Sequence, residues 1–225
     1  VTAWSVAVSH LIAAGWGITN RWGINSWTGE TLDRIRVPEL PPGPPPLVFV
    51  HTSWNERLSS RLQGAGGMRQ DSIVPALRRN TNCQLHQYAD AREARTRHGS
   101  DVPLPPVDLD QAAEAPGGLV LVSVGRGNTV RTRNDEALTA ECIRELQADR
   151  FGAVALAPLL WQGDLPGDER GRALFVRDLG PETNDEIRAL FPHRPAYLFS
   201  FFSLSGPPAL APYEDAVDVL WESLP

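Results

Sequence analysis

The chain has 225 residues, 42% of them hydrophobic, with 20 Pro and 19 Gly. That length can bury a substantial core without metals or several disulfides, and the Pro and Gly content sends many residues into turns and linkers. A net charge of −6 excludes nucleic acid as a partner, because phosphate binding needs a basic face with several cations in register.

Residues 3 to 18, AWSVAVSHLIAAGWGI, are apolar but interrupted by Ser5, Ser9 and His10. The stretch is shorter than the roughly 20 residues that cross a bilayer, and it lacks the basic start of a signal peptide. Trp4, Trp16, Trp22 and Trp27 flank or follow it. Trp favours the headgroup layer, its ring being apolar and its N–H needing a partner, so these residues and His10 are expected to contact a membrane surface or a membrane-protein complex. The plainer alternative is a helix packed on the domain's own core. An imidazole in this Ala-rich setting would suit a metal-centred pigment or haem, but one His assigns no cofactor, and neither cofactor nor metal is expected. The segment VPELPPGPPP, 37 to 46, reads as a stiff extended connector. It divides an arm, 1 to 46, from an α/β domain, 47 to 203, and a Pro-containing tail, 204 to 225.

LVFVH, 47 to 51, is a continuous apolar run expected to be a buried strand. Ser53 and Glu56 have capping-box spacing, and Gly64, Gly66 and Gly67 end the helix that follows. One or two helices are expected over 71 to 98, with Leu85, Tyr88 and Ala89 on one face after Cys83. Residues 99 to 118 read as a surface loop, and LVLVSV, 119 to 124, as a second buried strand. GRGN and the alternating NTVRTR suggest an edge hairpin. ALTAECIRELQADR, 137 to 150, is the clearest amphipathic helix, with Leu138, Cys142 and Leu146 on its core stripe. An acidic Gly-rich loop, GDLPGDERG, precedes a third strand in RALFVRDLG. Thr183 and Glu186 suggest a capping box before NDEIRALF, RPAYLFSFF supplies a fourth strand, and EDAVDVLW gives a helical turn or two in the tail. Strands alternating with helices predict an α/β fold: a small mixed or partly parallel sheet with flanking helices.

Chemical motifs are sparse. HTSWNERL places His51 and Ser53 after a strand, but without G-x-S-x-G it does not make a nucleophile elbow, and capping accounts for Ser53. Gly125 and Gly127 lack the third glycine and following helix of a dinucleotide fingerprint, so a hairpin turn is favoured. Asp164, Asp168 and Glu169 could form paired carboxylates or a hard-metal site, yet acidic residues in a Gly-Pro loop commonly mark solvated surface. No catalytic residue is assigned. Cys83 and Cys142, each in a helical segment, suit one disulfide in an exported protein or two buried thiols in a cytosolic one. His86 follows Cys83 by three positions, but a second ligand pair for zinc is missing.

The phrases PLVFVHTSWNERLSSRL, ALRRNTNCQL, ECIRELQADRFG, APLLWQGDLPG and RDLGPETNDEIRALFPHRPAYLF resemble the C-terminal soluble domain of bacterial multi-spanning membrane proteins similar to dolichyl-phosphate-mannose-type glycosyltransferases. The resemblance covers about residues 47 to 202 and omits the membrane region that carries catalysis. It implies an extracytoplasmic, periplasmic location beside the membrane, where Cys83 and Cys142 would oxidise.

The leading expectation is therefore a non-catalytic extracytoplasmic structural or interaction subunit that docks on a membrane-protein assembly, with a photosynthetic or respiratory complex as one host. The alternative is an accessory or acceptor-binding domain of a lipid-linked-sugar glycosyltransferase, with Trp54, Trp161 and Asp164 as glycan contacts. A cytosolic enzyme, with two free thiols, is the third reading.

Overall fold

A computed structural model of the chain describes residues 38–64, 66–99, 101–108, 118–126, 128–133, 138–154 and 173–222. The arm residues Trp4, His10, Trp16, Trp22 and Trp27 lie outside this set, as do Trp161 and Asp164.

The first apolar run forms strand β1, Leu47–Val50, with every residue fully buried. It sits inside a four-stranded sheet of order β4-β1-β5-β6, with β4 at Leu174–Arg177, β5 at Ala196–Ser200 and β6 at Ala209–Pro212. β1 runs parallel to both β4 and β5, and β6 closes the sheet antiparallel to β5. Parallel neighbours need crossover connections. Helices α1 (Trp54–Gly64), α2 (Gln70–Arg79), α3 (Asn82–His98) and α4 (Ala140–Ala148) lie between β1 and β4, and α5 (Pro181–Leu190) lies between β4 and β5. The expected α/β class, a small mixed sheet with flanking helices, is what these residues build.

Side chains of a strand alternate between faces, and β1 divides its contacts accordingly. Leu47 and Phe49 join Leu198 in a cluster with Tyr213, Leu220 and Trp221 of the last helix, α6 (Tyr213–Trp221). Val48 and Val50 pack with Val154, Phe199 and Phe201 on the other face. A third cluster, built on Trp54, Leu58, Leu62, Ile73 and Leu85, joins α1, α2 and α3 and includes Cys83 and Cys142.

The local signals have identifiable causes. The Glu56 carboxylate accepts from the Ser53 backbone N–H, the reach-back half of the expected capping box. α1 ends at Gly64, and Gly67 follows with a φ of 60°. Thr81 and Gln84 form a complete capping box that separates α2 from α3. The Thr139 hydroxyl caps α4 by accepting from the Cys142 N–H.

Four expectations change. LVLVSV does not enter the main sheet: β2 (Leu119–Ser123) pairs only with β3 (Thr129–Arg133) in the expected hairpin, and Leu121 is 66% exposed. Leu138 precedes α4 and is exposed, so it is not on that helix's core stripe. α5 begins at Pro181, whose fixed φ suits the first helical position, which puts Thr183 inside the helix and away from the cap. Residues 204 to 222, read as a tail, supply β6 and the core-filling helix α6.

Cys83 and Cys142 form a disulfide, with Cα atoms 5.6 Å apart across a sequence separation of 59. Among the described residues, no helix is long and apolar enough to cross a membrane. A disulfide is compatible with an extracytoplasmic compartment.

Candidate functional site

The register of the sheet creates a buried polar centre. Val50 pairs with Arg177, so the next residues, His51 and Asp178, leave the carboxyl ends of β1 and β4 side by side, where open α/β sheets place their sites. The ladder continues past the strands: the Asp178 N–H donates to the Val50 carbonyl and the His51 N–H to the Phe199 carbonyl. His51 continues the face of Leu47 and Phe49 and points towards α6, its ring edge-on to Trp221 at 5.9 Å.

Asp178 is fully buried and its two oxygens are heavily used. Oδ2 accepts from His51 Nδ1 at 2.6 Å and from Trp221 Nε1 at 3.0 Å. Oδ1 accepts from Asn184 Nδ2 at 2.7 Å and from the Gly180 N–H at 3.2 Å. Four donors around one carboxylate fill its acceptor sites. Asn184 is held in turn because its Oδ1 accepts from the Leu179 N–H.

The other side of His51 faces Asp149, directly after α4, with Nε2 3.3 Å from Oδ1. Asp149 also caps α1 from a distance, its Oδ2 accepting from the Trp54 N–H at 2.7 Å. Arg57 of α1 donates to Asp149 Oδ1 at 2.7 Å, to Glu145 Oε2 at 2.6 Å and to the Thr52 carbonyl. Its guanidinium stacks over the Trp221 ring at 5.1 Å. Glu145, one turn before Asp149, lies 3.6 Å from His86 Nε2 of α3. His86 Nδ1 forms an ion pair with Asp90, 3.1 Å from Oδ2.

Burial alone would lower the pKa of His51, and the Arg57 guanidinium acts the same way, but hydrogen bonds to Asp149 and Asp178 outweigh both and raise it. Burial likewise opposes charge on Asp178, yet His51 holds its carboxyl down at about 2. Glu145 is held at about 2, against burial, by Arg57 and His86. His86, despite burial, is pushed up to about 9 by Asp90 and Glu145. Asp149 is lowered, against burial, by Arg57 and His51. The inner network thus sets His51, Arg57 and His86 against three carboxylates, Glu145, Asp149 and Asp178. A buried network survives desolvation when its charges balance and its hydrogen bonds are made.

The disulfide is set one helical turn from this network on both sides. Cys83 stands three residues before His86 on α3, and Cys142 three before Glu145 on α4. Residues three apart share a helix face. The bond therefore holds the two helices together beside the His86–Glu145 contact.

Of the residues singled out in the sequence, the structure places His51 at the centre and Cys83 and Cys142 beside it. Trp54 is 2% exposed within the core cluster, and its indole N–H is buried without an acceptor. The ring is packed among core side chains of α1, α2 and α3. Gly125 is at the hairpin turn with a φ of 107°, and a Cβ there would lie 2.2 Å from the Arg150 carbonyl oxygen. It serves close backbone approach, as the turn reading predicts. Arg57, Glu145, Asp149 and Asp178 escaped the sequence reading. The available signal was positional: His51 directly follows the apolar run of β1, and Asp178 directly follows the last residue of β4, Arg177. Among the described residues, no group of three or more His, Cys, Asp or Glu side chains is arranged to hold a metal ion. Comparison with protein-family models, with curated proteins and with solved structures gives no match for this chain.

Proposed function

We propose that this chain is a non-catalytic extracytoplasmic interaction domain, attached to a membrane-protein assembly by its Trp-rich arm and Pro-rich connector. The observation that carries the reading is the state of His51. Its two nitrogens face two aspartates, it is fully buried, and its raised pKa favours the imidazolium. A general base needs an open nitrogen within reach of a substrate proton, whereas this ring is enclosed and both its nitrogens face carboxylates. Asp178, with its acceptor sites filled, is equally occupied with holding the fold.

The disulfide supports an oxidising compartment, since cytosolic thiols are kept reduced. The arm supports the membrane side of the reading through its four tryptophans. The test is co-sedimentation with native membranes of the full chain and of a chain lacking residues 1 to 46. The reading expects the full chain to sediment and the truncated chain to remain in the supernatant. Equal sedimentation of the two would overturn it.

A further inference from the structure

The β2–β3 hairpin has one edge tied to the domain and one edge untied. On the β3 side, Val130 is buried in the helical core cluster, and the Arg131 N–H donates to Asn82 Oδ1 at the start of α3. Arg131 pairs with Leu121, and its N–H points away from β2, so the two form a non-hydrogen-bonded pair. The alternation of an antiparallel ladder then turns the N–H and C=O groups of Leu119, Leu121 and Ser123 away from β3. Among the described residues, β2 pairs with no strand other than β3. Leu121 is 66% exposed and Val122 40%. The edge also lacks the usual protections, because residues 115 to 125, APGGLVLVSVG, carry no charge and the strand itself no proline.

We propose that this edge joins two copies of the chain, β2 of each pairing antiparallel about Leu121 to make a four-stranded sheet of order β3-β2-β2-β3. The strand is complementary to itself. Pairing about Leu121 sets Leu119 opposite the second copy's Ser123, Val120 opposite its Val122 and Leu121 opposite its Leu121, so a single two-fold axis relates the halves. Leu119, Leu121 and Ser123 then all fall in hydrogen-bonded pairs, each pair exchanging two backbone bonds. The charge pattern selects the same occupant. A chain of net −6 repels its own copies over most approaches, but β2 brings no acid to this one. The cations Arg131 and Arg133 stand on β3, three strand spacings or about 14 Å from their counterparts. That separation exceeds the Debye length of about 8 Å at physiological ionic strength. Pairing also covers each exposed Leu121 with the other, as a cross-strand pair does. An edge of five residues falls short of the roughly 1,000 Å² that a stable interface buries, so the dimer is a weak one.

The contact is separate from the arm, so it stands or falls independently of membrane docking. The test is sedimentation equilibrium of the full chain between about 10 μM and 1 mM, the range of a weak interface. The proposal expects a monomer–dimer equilibrium. Leu121→Arg and Leu121→Glu, each alone, should weaken it about tenfold or more, because like charges then face each other at the two-fold axis. An equimolar mixture of the two variants should dimerise again, since opposite charges then meet in that pair. Leu121 is exposed, so both variants should keep the thermal midpoint of the parent chain. Should either fail to fold, Leu121→Pro removes the outward N–H without breaking a bond to β3 and should likewise leave a monomer. A monomer at every concentration, assembly that grows beyond a dimer, dimerisation untouched by the Leu121 variants, or no recovery in the mixture would overturn the proposal.

Discussion

His51 and Asp178 lie 2.6 Å apart across 127 positions of sequence because β1 and β4 run parallel in a register that ends both strands at the same level. The contact joins the first strand of the domain to the last crossover. Trp221 from α6 donates to the same carboxylate, so three distant segments converge on one buried anion.

Removing one partner from this centre leaves an uncompensated buried charge. Asp178→Ala should lower stability by roughly 3–5 kcal/mol, measured by urea unfolding. A double-mutant cycle with His51→Ala should give a coupling energy above about 0.5 kcal/mol. Additive effects would mean the two residues act independently.

The network also sets how stability depends on pH. Glu145 and Asp178 are both held at about 2, below their ordinary values of 4.5 and 3.8. Their contribution is present above those ordinary values and is lost as pH falls towards 2. His86 is raised from 6.5 to about 9. Its contribution is fully present below 6.5 and is lost as pH rises through 9. The unfolding midpoint should therefore be highest between about 4.5 and 6.5 and decline on both sides. His86→Gln should flatten the alkaline decline between pH 6.5 and 9, leaving the part that His51 contributes.

The disulfide closes a long loop in the unfolded chain. With a sequence separation of 59, the chain-entropy model gives about 4 kcal/mol of stabilisation. Reduction, or the Cys83→Ser and Cys142→Ser double variant, should lower the thermal midpoint accordingly. Because the bond lies one turn from His86 and Glu145, the reduced protein should also show a His86 pKa closer to 6.5.

Two glycines offer a paired test of backbone geometry. Gly125→Ala forces a Cβ into a positive φ and against the Arg150 carbonyl, and should cost roughly 1–3 kcal/mol. Gly64→Ala meets nothing within 4 Å, and should instead stabilise by about 0.4–1 kcal/mol through the unfolded chain. Urea unfolding of the two variants distinguishes the signs.

The main sheet was largely legible because β1, β4 and β5 are short apolar runs bounded by turn residues. LVLVSV carries the same pattern, yet β2 pairs only with β3 and exposes Leu121. Periodicity alone does not say which partner a strand finds. β6 was missed because ALAP is four residues next to prolines, and its place depends on pairing with β5. The polar centre was hidden for a related reason. Arg57, Glu145 and Asp149 sit among other charges on amphipathic helices, where charge ordinarily marks solvent. Only tertiary packing turns those particular side chains inward and gives each a partner of opposite sign.

The protonation state of His51 tests the structural role of this centre most directly. Nitrogen-15 NMR of the folded protein at about pH 5.5 should show both ring nitrogens carrying protons, with slow solvent exchange and a titration midpoint above 6.5. A neutral His51 at that pH, titrating below 6.5 with one free nitrogen, would contradict the account and restore the residue as a candidate base.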